Sequence, residues 1–100
     1  MAYIIRLHPK ADEEYIAAYT WYEEQQAGLG ERFIKAVRER MESIANNPET
    51  FGSKDNIHFR EALIEAFPYI IVYKVYKQKN EIFMSAIYHA KRHPKKKYRK

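Results

Sequence analysis

The strongest constraint on the fold is the run YIIVYKVYK, from Tyr69 to Lys77, which is apolar on both faces except at Lys74. Its residues are mainly β-branched or aromatic, the types that strands favour. Successive side chains of a strand point to opposite faces of a sheet. A strand that is apolar on both faces is therefore predicted to lie in the middle of a sheet, covered on both sides. Pro68, just before it, lacks a backbone donor and is expected at the start of the strand or at a bulge.

Three further segments have strand-like sequences. IFMSAIYH (Ile82–His89) follows the turn KQKNE (Lys77–Glu81) and is predicted to return as the hairpin partner of the central strand. IHFREALI (Ile57–Ile64) precedes the central strand, and YIIRL (Tyr3–Leu7) lies near the N-terminus. Together these segments predict a sheet of four strands.

Two amphipathic helices are predicted between the first strand and the second. Apolar residues recur at three- and four-residue steps from Ala11 to Tyr22 and again from Phe33 to Ala45. Pro9 suits the first position of a helix, and Gly28 suits the end of one. The order β-α-α-β-β-β predicts an α+β fold, with a helical hairpin packed on a small, mostly antiparallel four-stranded sheet.

The composition narrows the class of protein. With 100 residues, the chain is predicted to form a single domain over residues 1–100, with a basic C-terminal tail at 91–100. It contains no cysteine, and its four histidines lack the spacing of a zinc site, so we expect no metal and no cofactor. The N-terminus has no long apolar run, so we expect neither a signal peptide nor a membrane span. We interpret the chain as a soluble cytoplasmic protein.

The positive charge is concentrated at the C-terminus. No acid follows Glu81. Residues 1–90 therefore carry a charge of −2 and residues 91–100 a charge of +7, which sum to the net charge of +5. The seven cations are Lys91, Arg92, Lys95, Lys96, Lys97, Arg99 and Lys100. Such segregation is typical of an arm that binds a polyanion, and a solvated tail is the alternative. We predict that Lys91, Lys95, Lys96, Lys97 and Arg99 contact nucleic acid.

Three stretches in this order carry a family resemblance. They are RFIKAVRERMESIANNPETFG (Arg32–Gly52), REALIEAFPYIIVYKV (Arg60–Val75) and AIYHAKRHP (Ala86–Pro94). Over essentially its whole length, the chain resembles the RelE/ParE superfamily of bacterial toxins, sometimes called plasmid stabilisation proteins. The resemblance implies the fold predicted above. It also implies growth inhibition by the toxin of a type II toxin–antitoxin pair, neutralised by direct binding of a cognate antitoxin.

The resemblance leaves the target open. RelE-like members are ribosome-dependent endoribonucleases that cut mRNA without a metal, whereas ParE-like members poison DNA gyrase. A degenerate toxin kept as an interaction module is a third alternative. The implied partners are an antitoxin and either ribosome-bound mRNA or gyrase, and the implied assemblies are a homodimer or a toxin–antitoxin hetero-oligomer.

The nuclease alternative has three candidate catalytic residues. In RelE-like nucleases, an arginine in a KR pair is followed six residues later by a functional tyrosine, and Arg92 and Tyr98 match that spacing. Arg92 would pair with two phosphate oxygens, and Tyr98 would act as the base once nearby cations lower the pKa of its phenol. His89, in an H-x-x-R pattern similar to ParE-like branches, is the third candidate. The alternatives are a frayed terminus for Tyr98 and a local hydrogen bond for His89.

One position departs from the nuclease pattern. RelE-like enzymes have a further functional arginine four residues before the tyrosine that opens the central strand, and here that position is Glu65. A carboxylate there would repel a phosphate. Arg60, on the preceding strand, is the candidate substitute for phosphate binding. The alternative for Arg60 is an ordinary cross-strand ion pair.

Overall fold

The computed structural model describes residues 3–49, 51, 59–92 and 97–99. Its element order, β-α-α-β-β-β, confirms the predicted α+β fold. The elements are β1 (Ile4–Leu7), α1 (Pro9–Gln25), α2 (Leu29–Asn46), β2 (Phe59–Leu63), β3 (Tyr69–Tyr76), a short 3-10 turn (Lys77–Lys79) and β4 (Glu81–His89).

The four strands form one sheet in the order β1-β4-β3-β2. β3 pairs antiparallel with both β4 and β2, and β4 pairs in parallel with β1. The predicted central strand is therefore central, and Ile71, Val72 and Tyr73 in it are fully buried. Pro68 lies directly before the start of β3, where its missing donor breaks no ladder hydrogen bond.

Local contacts at both ends explain the bounds of α1. His8 is the N-cap, and its Nδ1 accepts a hydrogen bond from the Lys10 N–H at 3.0 Å. Gly28 follows the helix with a φ of 89°, the left-handed conformation that glycine adopts most easily. The Glu23 carboxylate accepts hydrogen bonds from the N–H groups of Gly28 and Gly30 at 2.9–3.2 Å. This single side chain thereby satisfies backbone donors at the start of α2.

The sheet has two apolar faces. The helical hairpin covers one of them, the helix face, where Phe33 and Val37 of α2 pack with Ile71, Tyr73 and other strand residues. The other, which we call the open face, has a smaller core made of Phe59, Val72, Ala86 and Tyr88, with Ile70 and Tyr98 packed against it.

The β3–β4 pairing is interrupted by a bulge. Val72 pairs with Ala86 but Tyr73 pairs with Met84, so Ser85 is the extra residue on β4. β1 ends at Leu7, which pairs with Met84, and the edge of β4 beyond this point needs other partners for its backbone groups. Within the described ranges, no helix combines the length and the apolar character needed to cross a membrane.

Candidate functional site

The end of the basic tail lies on the open face of the sheet. The Tyr98 ring packs against Phe59, with ring centroids 5.1 Å apart. We call residues 97–99 the C-terminal clasp, because each of them contacts the body of the domain. Tyr98 is therefore part of the packed structure, and the frayed-terminus interpretation of this residue is wrong.

Glu61 of β2 is the first anchor of the clasp. Its Oε2 accepts a hydrogen bond from the Tyr98 hydroxyl at 2.6 Å and lies 3.3 Å from the Lys97 ammonium. Lys97 also donates to the Tyr88 hydroxyl at 3.3 Å, and its Nζ lies 5.2 Å from the ring centroids of both Tyr88 and Tyr98. A carboxylate, an ammonium and two phenols thus form one network on the open face.

This network sets the protonation of Tyr98. Burial raises the pKa of its phenol, and the hydrogen bond to Glu61 and the negative charge of Glu61 raise it further. Lys97 lowers the pKa of Tyr98, but by less. The prediction that neighbouring cations lower this pKa is wrong, because the nearest ionised group that contacts the phenol proton is an acid. The contact holds Tyr98 as a proton donor.

Glu14 of α1 is the second anchor. Arg99 pairs with its carboxylate in a bidentate arrangement, Nη1 to Oε1 at 3.2 Å and Nη2 to Oε2 at 3.0 Å. The same carboxylate accepts the Ile87 N–H at 3.0 Å, and Arg99 Nη1 donates to the Ser85 carbonyl at 2.9 Å. Glu14 and Arg99 together therefore satisfy backbone groups on the part of the β4 edge that β1 leaves unpaired.

Ser85 ties the clasp backbone to the bulge. Its hydroxyl donates to the Lys97 carbonyl and accepts from the Arg99 N–H, and its side chain is fully buried. Sequence reasoning missed all three anchors. From the sequence alone, Glu14 is explained as an acid that complements the helix dipole. Glu61 is explained as a neighbour of Arg60, and Ser85 as an ordinary strand residue. No local signal connects any of them with the tail.

His89 and Arg92 form a separate group at the end of β4. The His89 ring lies against Tyr69, with centroids 5.4 Å apart, and its Nδ1 accepts the Lys91 N–H at 3.1 Å. The His89 carbonyl accepts the Arg92 N–H at 2.9 Å. The expected local hydrogen bond of His89 is thus present. Burial raises the pKa of Tyr69, and the charge of Arg92 opposes that shift.

A backbone hydrogen bond links Arg92 to His89 at the end of β4, whereas Tyr98 lies with a different set of residues. Tyr69 packs on the core of the helix face, whereas Tyr98 packs on the open face. Lys91 and Arg92 are both exposed to solvent. Lys95 and Lys96 lie outside the described residues.

Arg60 also lies away from the clasp. It alternates along β2 with Phe59 and Glu61, which face the open side, and so points to the helix face. Its guanidinium donates to the Phe51 carbonyl and lies 3.9 Å from Glu49. Arg60 is thus paired with the segment after α2, and the alternative of a cross-strand ion pair is wrong. Glu65 is exposed in the turn between β2 and β3.

Among the residues that the structure describes, no three His, Asp or Glu side chains are grouped as a metal site would require.

Comparison with known proteins agrees with this architecture. Residues 5–94 match the family model described as the ParE toxin of the type II toxin-antitoxin system parDE. The fold is similar to that in the chromosomal ParDE system from P. aeruginosa, with a TM-score of 0.75 and 15% identity over 90% of this chain and 98% of that chain. It is also similar to the intact E. coli RelBE toxin-antitoxin complex, with a TM-score of 0.70 and 16% identity over 91% of this chain and 100% of that chain. The isolated E. coli RelE toxin gives a TM-score of 0.69 and 17% identity over 92% of this chain and 88% of that chain. A search of curated proteins found no match.

Proposed function

Because the chain belongs to the ParE toxin family of type II toxin–antitoxin systems, we propose that it inhibits growth by binding DNA gyrase, without cutting RNA, and that a cognate antitoxin neutralises it by direct binding. The structural neighbours include the ParDE system and the RelBE complex, which supports an antitoxin partner. Gyrase is the target that the resemblance assigns to ParE-like members.

The observation that carries this proposal is the state of Tyr98. A general base at neutral pH needs a pKa near the operating pH. Burial and Glu61 instead raise the pKa of Tyr98 above that of a free phenol, and the hydroxyl already donates its proton to Glu61. The residue that matches the nuclease tyrosine is therefore poorly suited to take a proton from a 2′-hydroxyl, and a toxin that acts by binding fits better.

Two other positions support binding over cleavage. Arg60, the candidate substitute for the arginine that Glu65 replaces, is paired with Glu49 and Phe51 toward the helix face. Arg99 is paired with Glu14. These two cations are occupied within the domain, so neither is free to stabilise the charge of a phosphorane.

Ribosome-dependent mRNA cleavage is the second candidate, and the half-buried His89 with the exposed Arg92 three residues later favours it. A histidine near neutral pH transfers protons readily, and an exposed guanidinium can pair with two phosphate oxygens. In this alternative His89, not Tyr98, carries the proton.

Purified components separate the two targets. We expect the wild-type chain to block DNA supercoiling by gyrase and to leave mRNA on ribosomes uncut, and we expect Tyr98→Phe to keep full potency against gyrase. Cleavage of ribosome-bound mRNA that is lost in Arg92→Ala, together with unaffected supercoiling, would contradict the proposal.

The toxin assignment has its own test in cells. Expression of the chain alone should slow bacterial growth, and co-expression with the antitoxin encoded beside it should restore growth. The matched control is Val72→Asp, which is expected not to fold. Normal growth at confirmed soluble expression of the wild-type chain would argue against a working toxin.

A further inference from the structure

We propose that one end of the domain is the surface that contacts gyrase, with Trp21 as the central apolar contact and with Lys91 and Arg92 as charged contacts to acidic groups of that partner. We call these three residues the end surface. Assigning the gyrase contact to this surface rests on the proposed function.

The end surface is assembled because α1 runs alongside β4 toward the carboxyl end of that strand. Glu14, in the first half of α1, accepts the Ile87 N–H at 3.0 Å. Further along α1, the Tyr22 ring lies 6.0 Å from the ring of Tyr69, and Tyr69 pairs with His89, the last residue of β4. Later positions of α1 thus meet later positions of β4, so the last turns of α1 and the turn after β4 lie at the same end of the domain.

Trp21 projects from the flank of α1 that faces the edge of β4. It follows Glu14 by seven residues, which is two helical turns or about 10 Å, so the two side chains lie on the same side of the helix. Its ring packs edge-on against Tyr22, with centroids 5.1 Å apart, yet Trp21 remains 54% exposed. A tryptophan usually buries most of its large apolar surface. Trp21 therefore offers apolar area that the domain itself leaves uncovered.

Lys91 and Arg92 follow β4 in an ordered turn. The His89 Nδ1 accepts the Lys91 N–H at 3.1 Å, and the His89 carbonyl accepts the Arg92 N–H at 2.9 Å. The Ala90 N–H donates to the Pro68 carbonyl at 2.7 Å, which joins this turn to the residue before β3. The backbone that carries the two cations is thus held in place before a partner binds, and this lowers the ordering cost of binding.

The charges of this turn differ from those of the clasp. Lys97 and Arg99 are paired with carboxylates. Lys91 and Arg92 are exposed, and in the described part of the chain neither side chain forms an ion pair. Interfaces match a positive patch on one protein with a negative patch on the other. The end surface therefore fits a partner that presents acidic groups.

These features favour a protein partner over a nucleic acid. Tryptophan and arginine are among the residues that most often carry the binding energy of protein interfaces, where an aromatic side chain fills a pocket of the partner. Single-stranded nucleic acid instead stacks its successive bases on several exposed rings. Here Trp21 is exposed, whereas Tyr22 is buried and Tyr69 is half-buried. We therefore expect the gyrase site to be an apolar pocket with carboxylates beside it.

Two matched pairs of variants test the end surface. Trp21→Ala removes its apolar contact, and Ile16→Ala removes a side chain of similar exposure, 57%, from another side of α1. Arg92→Gln removes a cation from the end surface, and Lys79→Gln removes an exposed cation from the turn before β4, at the opposite end of that strand. Supercoiling of DNA by purified gyrase is measured over a range of concentrations of each variant. Thermal unfolding confirms that each variant is folded.

Trp21→Ala and Arg92→Gln should each raise the concentration needed for half-maximal inhibition about tenfold or more, as expected for residues near the centre of an interface. Ile16→Ala and Lys79→Gln should inhibit like the wild type. The effect of Arg92→Gln should shrink as salt screens its charge, whereas the effect of Trp21→Ala should persist.

The possible failures are distinguishable. Full inhibition by the wild type and by all four variants would overturn the end surface and leave the proposed function intact. A wild-type chain that does not affect supercoiling would contradict the proposed function and the end surface together. If Trp21→Ala and Arg92→Gln bind the antitoxin more weakly but inhibit gyrase fully, the surface belongs to the antitoxin and the proposal is wrong. It is also wrong if these two variants lose affinity for DNA in the absence of gyrase.

Discussion

At the scale of single residues, burial makes the phenol of Tyr73 harder to ionise. Tyr73 of β3 is fully buried, and its hydroxyl donates to the Pro48 carbonyl at 2.7 Å, which ties the centre of the sheet to the segment after α2. Burial raises the pKa of Tyr73 to about 12, against a smaller lowering by Arg60. Ionising this phenol in the folded domain would place an anion in the core, so the domain favours its neutral form.

Alkaline pH should therefore destabilise the domain through Tyr73. The folded-state pKa is raised, so its contribution is fully present below pH 10 and is lost as the pH rises from 10 toward about 12. The loss over that window is on the order of 2 to 3 kcal/mol. Denaturant unfolding across this range should show the free energy of unfolding falling with pH in the wild type and falling less steeply in Tyr73→Phe. At neutral pH, Tyr73→Phe should be less stable than the wild type by about 1 kcal/mol, because it lacks the hydroxyl's hydrogen bond. Parallel pH profiles would show that Tyr73 is not the responsible group.

At the scale of elements, the helical hairpin depends on one close approach. A Cβ added at Gly30 would lie 2.8 Å from the Tyr19 carbonyl oxygen and 2.9 Å from both Glu23 Oε1 and Tyr19 Cδ1. The first of these atoms is backbone and cannot move without moving α1. A side chain at this position therefore has to separate the two helices, and it disturbs the Glu23 contact at the start of α2.

The two glycines of the hairpin should respond differently to alanine. Gly30→Ala should cost about 1 to 3 kcal/mol or more through overpacking. Gly28→Ala meets open space, and its cost of about 1 to 2 kcal/mol comes from the φ of 89° alone. Thermal melts of the two variants should show the larger fall in Tm for Gly30→Ala. The reverse order would mean that the turn conformation, not the helix contact, limits the hairpin.

At the scale of the whole molecule, β3 and β4 connect the two apolar faces. Ile87 is buried in the helix-face core and Val72 in the open-face core, at 1% and 0% exposure. The clasp is anchored to α1, β2 and β4, so it links the C-terminal segment both to the first helix and to the sheet. A substitution that disrupts the packing of either apolar face should therefore destabilise the entire domain.

A charge on either buried face should unfold the domain. Val72→Asp and Ile87→Asp each place an unpaired carboxylate in an apolar core, which costs several kcal/mol, of the order of the total stability of a small domain. Leu63→Asp, on β2 at 58% exposure, is the matched control and should melt close to the wild type. Circular dichroism of the three variants provides the comparison. A folded Val72→Asp would mean that the open-face core contributes little to stability.

The sequence by itself determined the kinds of element and their order. The three- and four-residue spacing from Ala11 to Tyr22, and the run that is apolar on both faces from Tyr69, are local patterns, and local sterics and burial translate them directly into helix and strand. Gly28 could be located in the same way, because a glycine at the end of an apolar repeat marks a helix end.

Only the tertiary structure decided the chemistry of the C-terminus. Arg99 meets Glu14 across a separation of 85 positions, and Tyr98 meets Glu61 across 37. Which acid faces which cation depends on the end of β1 at Leu7, on the bulge at Ser85 and on the face that each side chain takes. None of these has a signal in the spacing of charges along the chain. The direction of the pKa shift of Tyr98 depends on the distance to one carboxylate, so the sequence-based prediction, made from the neighbouring lysines, had the wrong sign.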